Sequence, residues 1–98
     1  ATKFATEVPF KTMMFCYECM EVVKAMAEIG NPNSVTDAGV GALAARSGVI
    51  GAFLNVKINA AGLDDKEYAN DIISRGEKVV EMAKQMETDI LNIVNSKI

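Results

Sequence analysis

Gly30-Asn31-Pro32-Asn33-Ser34-Val35-Thr36-Asp37 closes one helical pattern and opens another. Gly30 follows the last apolar residue of the first pattern, and Ser34 with Asp37 three positions later reads as a capping box for the second. Two asparagines and a proline between these signals are more than a plain turn requires. The junction therefore predicts a helical hairpin whose connection also carries polar side chains.

Working outward, the first helix is predicted from about Thr6 to Ile29. Glu7, Lys11, Glu18, Glu21 and Glu28 recur at spacings that mark one wet face, and the apolar residues between them predict that most of the circumference is buried. Pro9 suits a first turn and would kink a helix that began earlier. The second helix is predicted from about Val35 to Ala60, with Asp37, Arg46 and Lys57 as its charges. It is long enough for a membrane span. Arg46 near its centre, Ser47 and four glycines argue instead for a soluble helix buried between others. Gly62 is the expected stop. Asp64 with Glu67 reads as a capping box for a third helix, from about Asp65 to Asn95. Ala69, Gly76, Ala83 and Ile90 repeat every seven residues, as do Ile72, Val79, Met86 and Ile93, which defines an apolar stripe opposite a charged face. The predicted fold is all-α: an antiparallel bundle of three long helices.

Composition narrows the function. At 98 residues the chain is one domain or part of one, with a modest core. Half of its residues are hydrophobic, which argues against disorder. A net charge of −3 without a basic cluster argues against nucleic-acid binding. Histidine is absent, which removes the commonest general base and metal ligand. No signal peptide is visible, and a cytoplasmic location is the expectation.

The second helix is unusual in being rich in glycine and alanine. At 100° per residue Asp37, Gly41, Ala44, Gly48, Ala52, Asn55 and Asn59 share a face whose middle is small. Asp37 and Asn55 lie about 27 Å apart along that axis, so one helix cannot bring both to one site. An antiparallel second copy could, which predicts a homodimer through this helix.

Each candidate site has a plainer reading beside it. Cys16 and Cys19 invite a redox or zinc assignment, but a mid-helix pair with no other cysteine and no histidine is better read as two core thiols, with no metal site. Asp37 caps a helix and favours its positive end, or it is a carboxylate placed to handle a proton or a cation. Asn55, Lys57 and Asn59 form a solvated helix end, or specific hydrogen bonds on a buried face. Arg46 and Lys57 are surface charge, or they attract an anion.

Gly30 through Val40, followed by Gly51-Ala52-Phe53-Leu54-Asn55-Val56-Lys57-Ile58-Asn59, resembles the cyclodeaminase/cyclohydrolase family. That family includes the C-terminal domain of formiminotransferase-cyclodeaminase and the bacterial methenyltetrahydrofolate cyclohydrolases, also called serine-cycle enzymes. Ala5-Thr6-Glu7-Val8-Pro9 and the charged terminal helix are similar too, so the likeness extends over nearly the whole chain. It implies an all-helical, dimer-forming domain acting on folate one-carbon units, with no cofactor beyond the tetrahydrofolate substrate and no metal. The expected activity is hydrolysis of 5,10-methenyltetrahydrofolate to 10-formyltetrahydrofolate. The alternative within the family is cyclodeamination, with ammonia released from 5-formiminotetrahydrofolate.

On the matching positions Asp37 and Asn33 are the expected catalytic residues. Asn31, Ser34, Thr36, Asn55, Lys57 and Asn59 are the expected substrate-binding residues, with Lys57 or Arg46 attracting the glutamate tail. Family members are longer and carry an upstream Pro-Gly-Gly-Gly-Ser type segment without a counterpart here. Residues 1–98 are therefore expected to be the C-terminal half of a single helical domain. The competing reading, from another class, is a non-enzymatic helical oligomerisation module or an inactive fragment.

Overall fold

The computed structural model describes residues 2–98, which form three antiparallel helices. They are α1 (Lys3–Ile29), α2 (Val35–Ala61) and α3 (Lys66–Lys97), with no strand among the described residues. The all-helical expectation is met, and the second and third helices lie within two residues of their predicted bounds.

The first helix begins earlier than predicted. Thr2 caps it by accepting the amide of Ala5 at 3.1 Å, so Pro9 falls inside the helix rather than in its first turn. Proline has no amide hydrogen, which leaves the Ala5 carbonyl, its normal i−4 acceptor, without an intrahelical donor. Asn59 at the end of α2 fills the gap, its side-chain Nδ2 donating to Ala5 O at 3.0 Å. Asn59→Ala is expected to cost about 1 kcal/mol in the native background. It should cost almost nothing once Pro9→Ala has restored the helical bond. A double-mutant cycle read by urea unfolding checks this coupling.

Two predicted caps differ from expectation. Ser34 makes no side-chain cap bond to α2. The bonds come from Asn31: its Oδ1 accepts the Asn33 amide at 2.9 Å, and its carbonyl accepts the amides of Ser34 and Val35 at 3.1 and 2.9 Å. Ser34 keeps the N-cap position, and Asn31 holds the turn that leads into it, with Pro32 placed where a missing amide hydrogen costs nothing. For α3 the cap is Asp65 rather than Asp64. It accepts the Tyr68 amide at 3.0 Å and pairs with Lys3 at 3.0 Å, and the two together hold its carboxyl below the usual range.

The core lies along the line where the helices meet. From α1 it takes Thr6, Met13, Met20 and Ala27, one residue in seven, and Thr6 has no hydrogen-bond partner for its hydroxyl among the described residues. From α2 come Val49, Phe53 and Val56, and from α3 Ile72, Val79 and Ala83. A second cluster of Ala27, Val35, Ala38, Ala42, Ile90 and Val94 underlies the α1–α2 junction. Gly41 of α2 meets Val23 of α1, Gly48 meets Cys16, and Gly76 of α3 lies against the Phe53 ring.

These contacts correct two expectations. Gly41 and Gly48 on the small-residue face of α2 are packed by α1 of the same chain, while Ala44 and Asn55 of that face stay exposed. And α1 is far from mostly buried: Phe4, Phe15, Val22 and Ile29 are 61, 65, 62 and 86% exposed. Nor is α2 enclosed on all sides, since Val40, Leu43, Leu54 and Ile58 also face solvent. By length and composition alone α2 could cross a membrane.

Candidate functional site

The junction between α1 and α2 gathers Asn31, Asn33, Ser34, Thr36 and Asp37 at one end of the bundle, all exposed. Their placement follows from the cap. The Asn31 side chain ties the turn to Asn33, and Ser34 Oγ donates to Asn31 at 3.4 Å. The Asp37 amide bonds back to Ser34 O at 3.2 Å. Asp37 then sits in the first turn of α2, where the unpaired amides and helix dipole favour a carboxylate. Its carboxylate engages no donor among the described residues, so it is free for chemistry.

A residue outside the expected set fixes this end. Lys97, in the last turn of α3, donates to the carbonyls of Ala27, Glu28 and Gly30 at 2.7, 2.5 and 2.9 Å. One ammonium group thereby satisfies the end of α1, where the dipole favours a cation, and pins the start of the junction to α3. Lys97→Met is expected to cost about 2 kcal/mol. It should also raise hydrogen-exchange rates at Gly30–Ser34 more than at mid-α2 amides, measured by mass spectrometry. A lysine near a helix end is indistinguishable in sequence from ordinary surface charge, so nothing in the sequence singled it out.

The remaining expected residues are not brought to the junction. Asn55, Lys57 and Asn59 lie some five turns along α2, about 27 Å from Asp37 for Asn55. Asn55 is exposed. Lys57 Nζ lies over the Phe53 ring, 5.0 Å from its centroid. The Asn59 amide is engaged by Ala5. Arg46 pairs with Glu87 of α3, so its charge is balanced within the chain.

Cys16 and Cys19 are free, half-buried thiols, and Cys16 packs against the core beside Gly48 of α2. Burial pushes the Cys16 thiol up, with Cys19 adding to the rise, the reverse of what an activated thiol needs. Among the described residues no group of three or more His, Cys, Asp or Glu is placed to hold a metal ion.

Two shallow hollows lie away from the junction. One is lined by Ser74, Glu77, Lys78, Glu81 and Met82 of α3, and the other by Lys3, Asp65, Glu67, Tyr68 and Asp71. The polar junction, whose Asn31, Asn33, Ser34, Thr36 and Asp37 are all exposed, forms a ledge at that end of the bundle.

Fold and ledge together define a helical-hairpin module with a carboxylate and amides at a helix start. The model of the formiminotransferase-cyclodeaminase family matches residues 1–78, and the chain belongs to that family. It is 38% identical over all 98 residues to the methenyltetrahydrofolate cyclohydrolase of Methylorubrum extorquens, covering 47% of that protein. It is 27% identical over 97 residues to the formimidoyltransferase-cyclodeaminase of Dictyostelium discoideum, covering 18% of it. The chain therefore spans less than half the length of either relative. Lys97 lies beyond the residues that the family model matches.

Proposed function

We propose that this chain forms part of a folate one-carbon hydrolase that opens 5,10-methenyltetrahydrofolate to 10-formyltetrahydrofolate. The carrying observation is Asp37, an exposed carboxylate on the first turn of α2 beside Asn31 and Asn33, in a chain whose 98 residues all align with 47% of a cyclohydrolase. The methenyl carbon bridges two nitrogens and carries delocalised positive charge. A carboxylate beside it stabilises that charge and takes a proton from the attacking water. The water oxygen bonds to the methenyl carbon. The carbon–N5 bond then breaks, its electron pair passes to N5, and N5 gains a proton as the formyl carbonyl forms. One proton is released overall.

In this reading Asn33 orients the water, and Asn31, Ser34 and Thr36 hold the pterin edge. At about 27 to 33 Å along the helix, Asn55, Lys57 and Asn59 are too distant to grip the same ring as Asp37. They serve the carboxylate-bearing tail, for which Lys57 supplies charge, or the second site of a homodimer. The homodimer belongs to the proposal as an assembly of completed domains, since α1 already packs Gly41 and Gly48 on the small-residue face of α2. The substrate is the only tetrahydrofolate derivative required, with no further cofactor and no metal. Neither nucleic acid nor membrane enters the reading, and the location is cytoplasmic.

The second reading is formiminotetrahydrofolate cyclodeamination, favoured by the name of the Dictyostelium relative and by the family model. Parallel assays of methenyl absorbance decay and of ammonia release from the formimino compound separate the two. A chain that accelerates neither, in the presence of the length its relatives possess, would overturn both.

A further inference from the structure

The two sides of the junction are anchored in different ways. On the α2 side, Val94 and Leu91 of α3 pack on Gly39, 3.6 and 3.7 Å from where a Cβ would stand, and Ala38 is buried in the same cluster as Ile90 and Val94. Asp37 therefore precedes two residues that the core holds in place. On the α1 side the chain carries no buried residue between Ala27 and Val35. Its bonds there are local and exposed: Asn31 Oδ1 accepts the Asn33 amide, and the Asn31 carbonyl accepts the amides of Ser34 and Val35. Among the described residues, the one side chain of another helix that bonds to this stretch is Lys97, through the carbonyls of Ala27, Glu28 and Gly30.

A helix start held by exposed local bonds alone frays. The first amides of α2 hang on the Asn31 carbonyl, and Asn31 directly follows Gly30. Holding the Gly30 carbonyl thus restrains the turn from the side that α2 does not reach. Lys97 lies one helical turn past Val94, so a single stretch of α3 supplies an apolar footing on the Asp37 side and a cationic one on the Asn31 side.

We propose that Lys97 is a positioning residue for the Asp37 site: by holding the end of α1 it keeps Asn31 and Asn33 ordered beside Asp37, and turnover depends on it although it touches no substrate. The kinetic half of this inference rests on the folate reading, and the ordering half on these contacts alone. Asn33 orients the water that Asp37 activates, so its displacement acts on the chemical step, where a misplacement of about 1 Å costs up to about 100-fold. Thr36 stays on the anchored side, so KM should hardly move.

The test uses the Methylorubrum extorquens cyclohydrolase carrying these 98 residues in place of its matching portion. Lys97→Met is expected to lower kcat by about tenfold or more, with KM within about twofold. Backbone order parameters at Asn31 and Asn33 should fall from about 0.85 toward 0.6, while those at Asp37 and Gly39 hold. Lys97→Arg, which keeps the cation, should recover part of both. Gly76→Ala is the control: it loses comparable stability at the Phe53 contact, about 24 Å along α2 from Asp37, and should leave kcat and junction order unchanged. If Lys97→Met does not fold, Lys97→Gln, with amide donors but no charge, gives the same readouts with smaller changes. Unchanged order at Asn31 and Asn33 in a folded Lys97 variant would overturn the proposal. So would an unchanged kcat, or a Gly76→Ala chimera that loses as much turnover. An unsubstituted chimera that opens no methenyltetrahydrofolate would remove the folate reading, and the order parameters alone would then decide whether Lys97 holds the turn.

Discussion

Gly76→Ala is expected to destabilise the chain by about 2 kcal/mol, although the same change raises intrinsic helix propensity by about 1 kcal/mol. A Cβ at position 76 would lie 2.7 Å from Cδ1 of Phe53 and closer still to Cε1. That ring is itself buried in the core and cannot swing away into solvent. Gly76→Val should cost more than about 3 kcal/mol, a large share of the 5–10 kcal/mol typical of a domain this small. Gly51 provides the comparison, being mid-helix with nothing within 4 Å of an added Cβ. Gly51→Ala should stabilise by about 0.5–1 kcal/mol. Because both alanine substitutions change helix propensity equally, their difference in thermal or urea unfolding isolates the α2–α3 contact. Equal effects at the two positions would mean that Phe53 does not pack against Gly76.

Asp37→Asn is expected to have the largest effect on activity. Loss of a general base usually lowers turnover by about 10²–10⁴-fold. Asparagine preserves size and most hydrogen bonding, and Asp37 is exposed and bonded to no donor among the described residues. The accompanying loss of stability should therefore stay below about 1 kcal/mol, the size of a first-turn dipole interaction. Kinetics and unfolding measured on the same preparation separate a chemical role from a structural one. A fall in stability that matched the fall in activity would reduce Asp37 to a helix-start residue.

What was legible in the sequence follows from which interactions are local. The third helix was read almost to its ends because its seven-residue apolar repeat and charged face are both periodic. The junction and Ser34 as its cap position are legible in the sequence, but the side-chain bond is not: the turn is held by Asn31, whose Oδ1 takes the Asn33 amide. Pro9 was placed in a first turn because nothing local reveals that Asn59, far along the chain, satisfies the carbonyl that proline orphans. Lys97 was missed because its three carbonyl partners lie on another helix.

The extent of burial on α1 was misjudged for a different reason. Apolar composition reports that a surface is to be covered, and it does not say by which polypeptide. Phe15 and Val22 belong to the stretch expected to be buried, yet within this chain they face solvent. The clustering of polar residues at Asn31–Asp37 was legible because it is contiguous in sequence. That Asn55 and Lys57 stand far from it was legible as well, from helix rise alone.

The most direct measurement of the central claim is the decay of 5,10-methenyltetrahydrofolate absorbance with the Methylorubrum extorquens cyclohydrolase carrying these 98 residues in place of its matching portion, against buffer and the Asp37→Asn variant of the same chimera. Hydrolysis accelerated by the chimera and lost in the variant is the predicted result. A folded chimera with Asp37 present that leaves the decay at its buffer rate would contradict the claim.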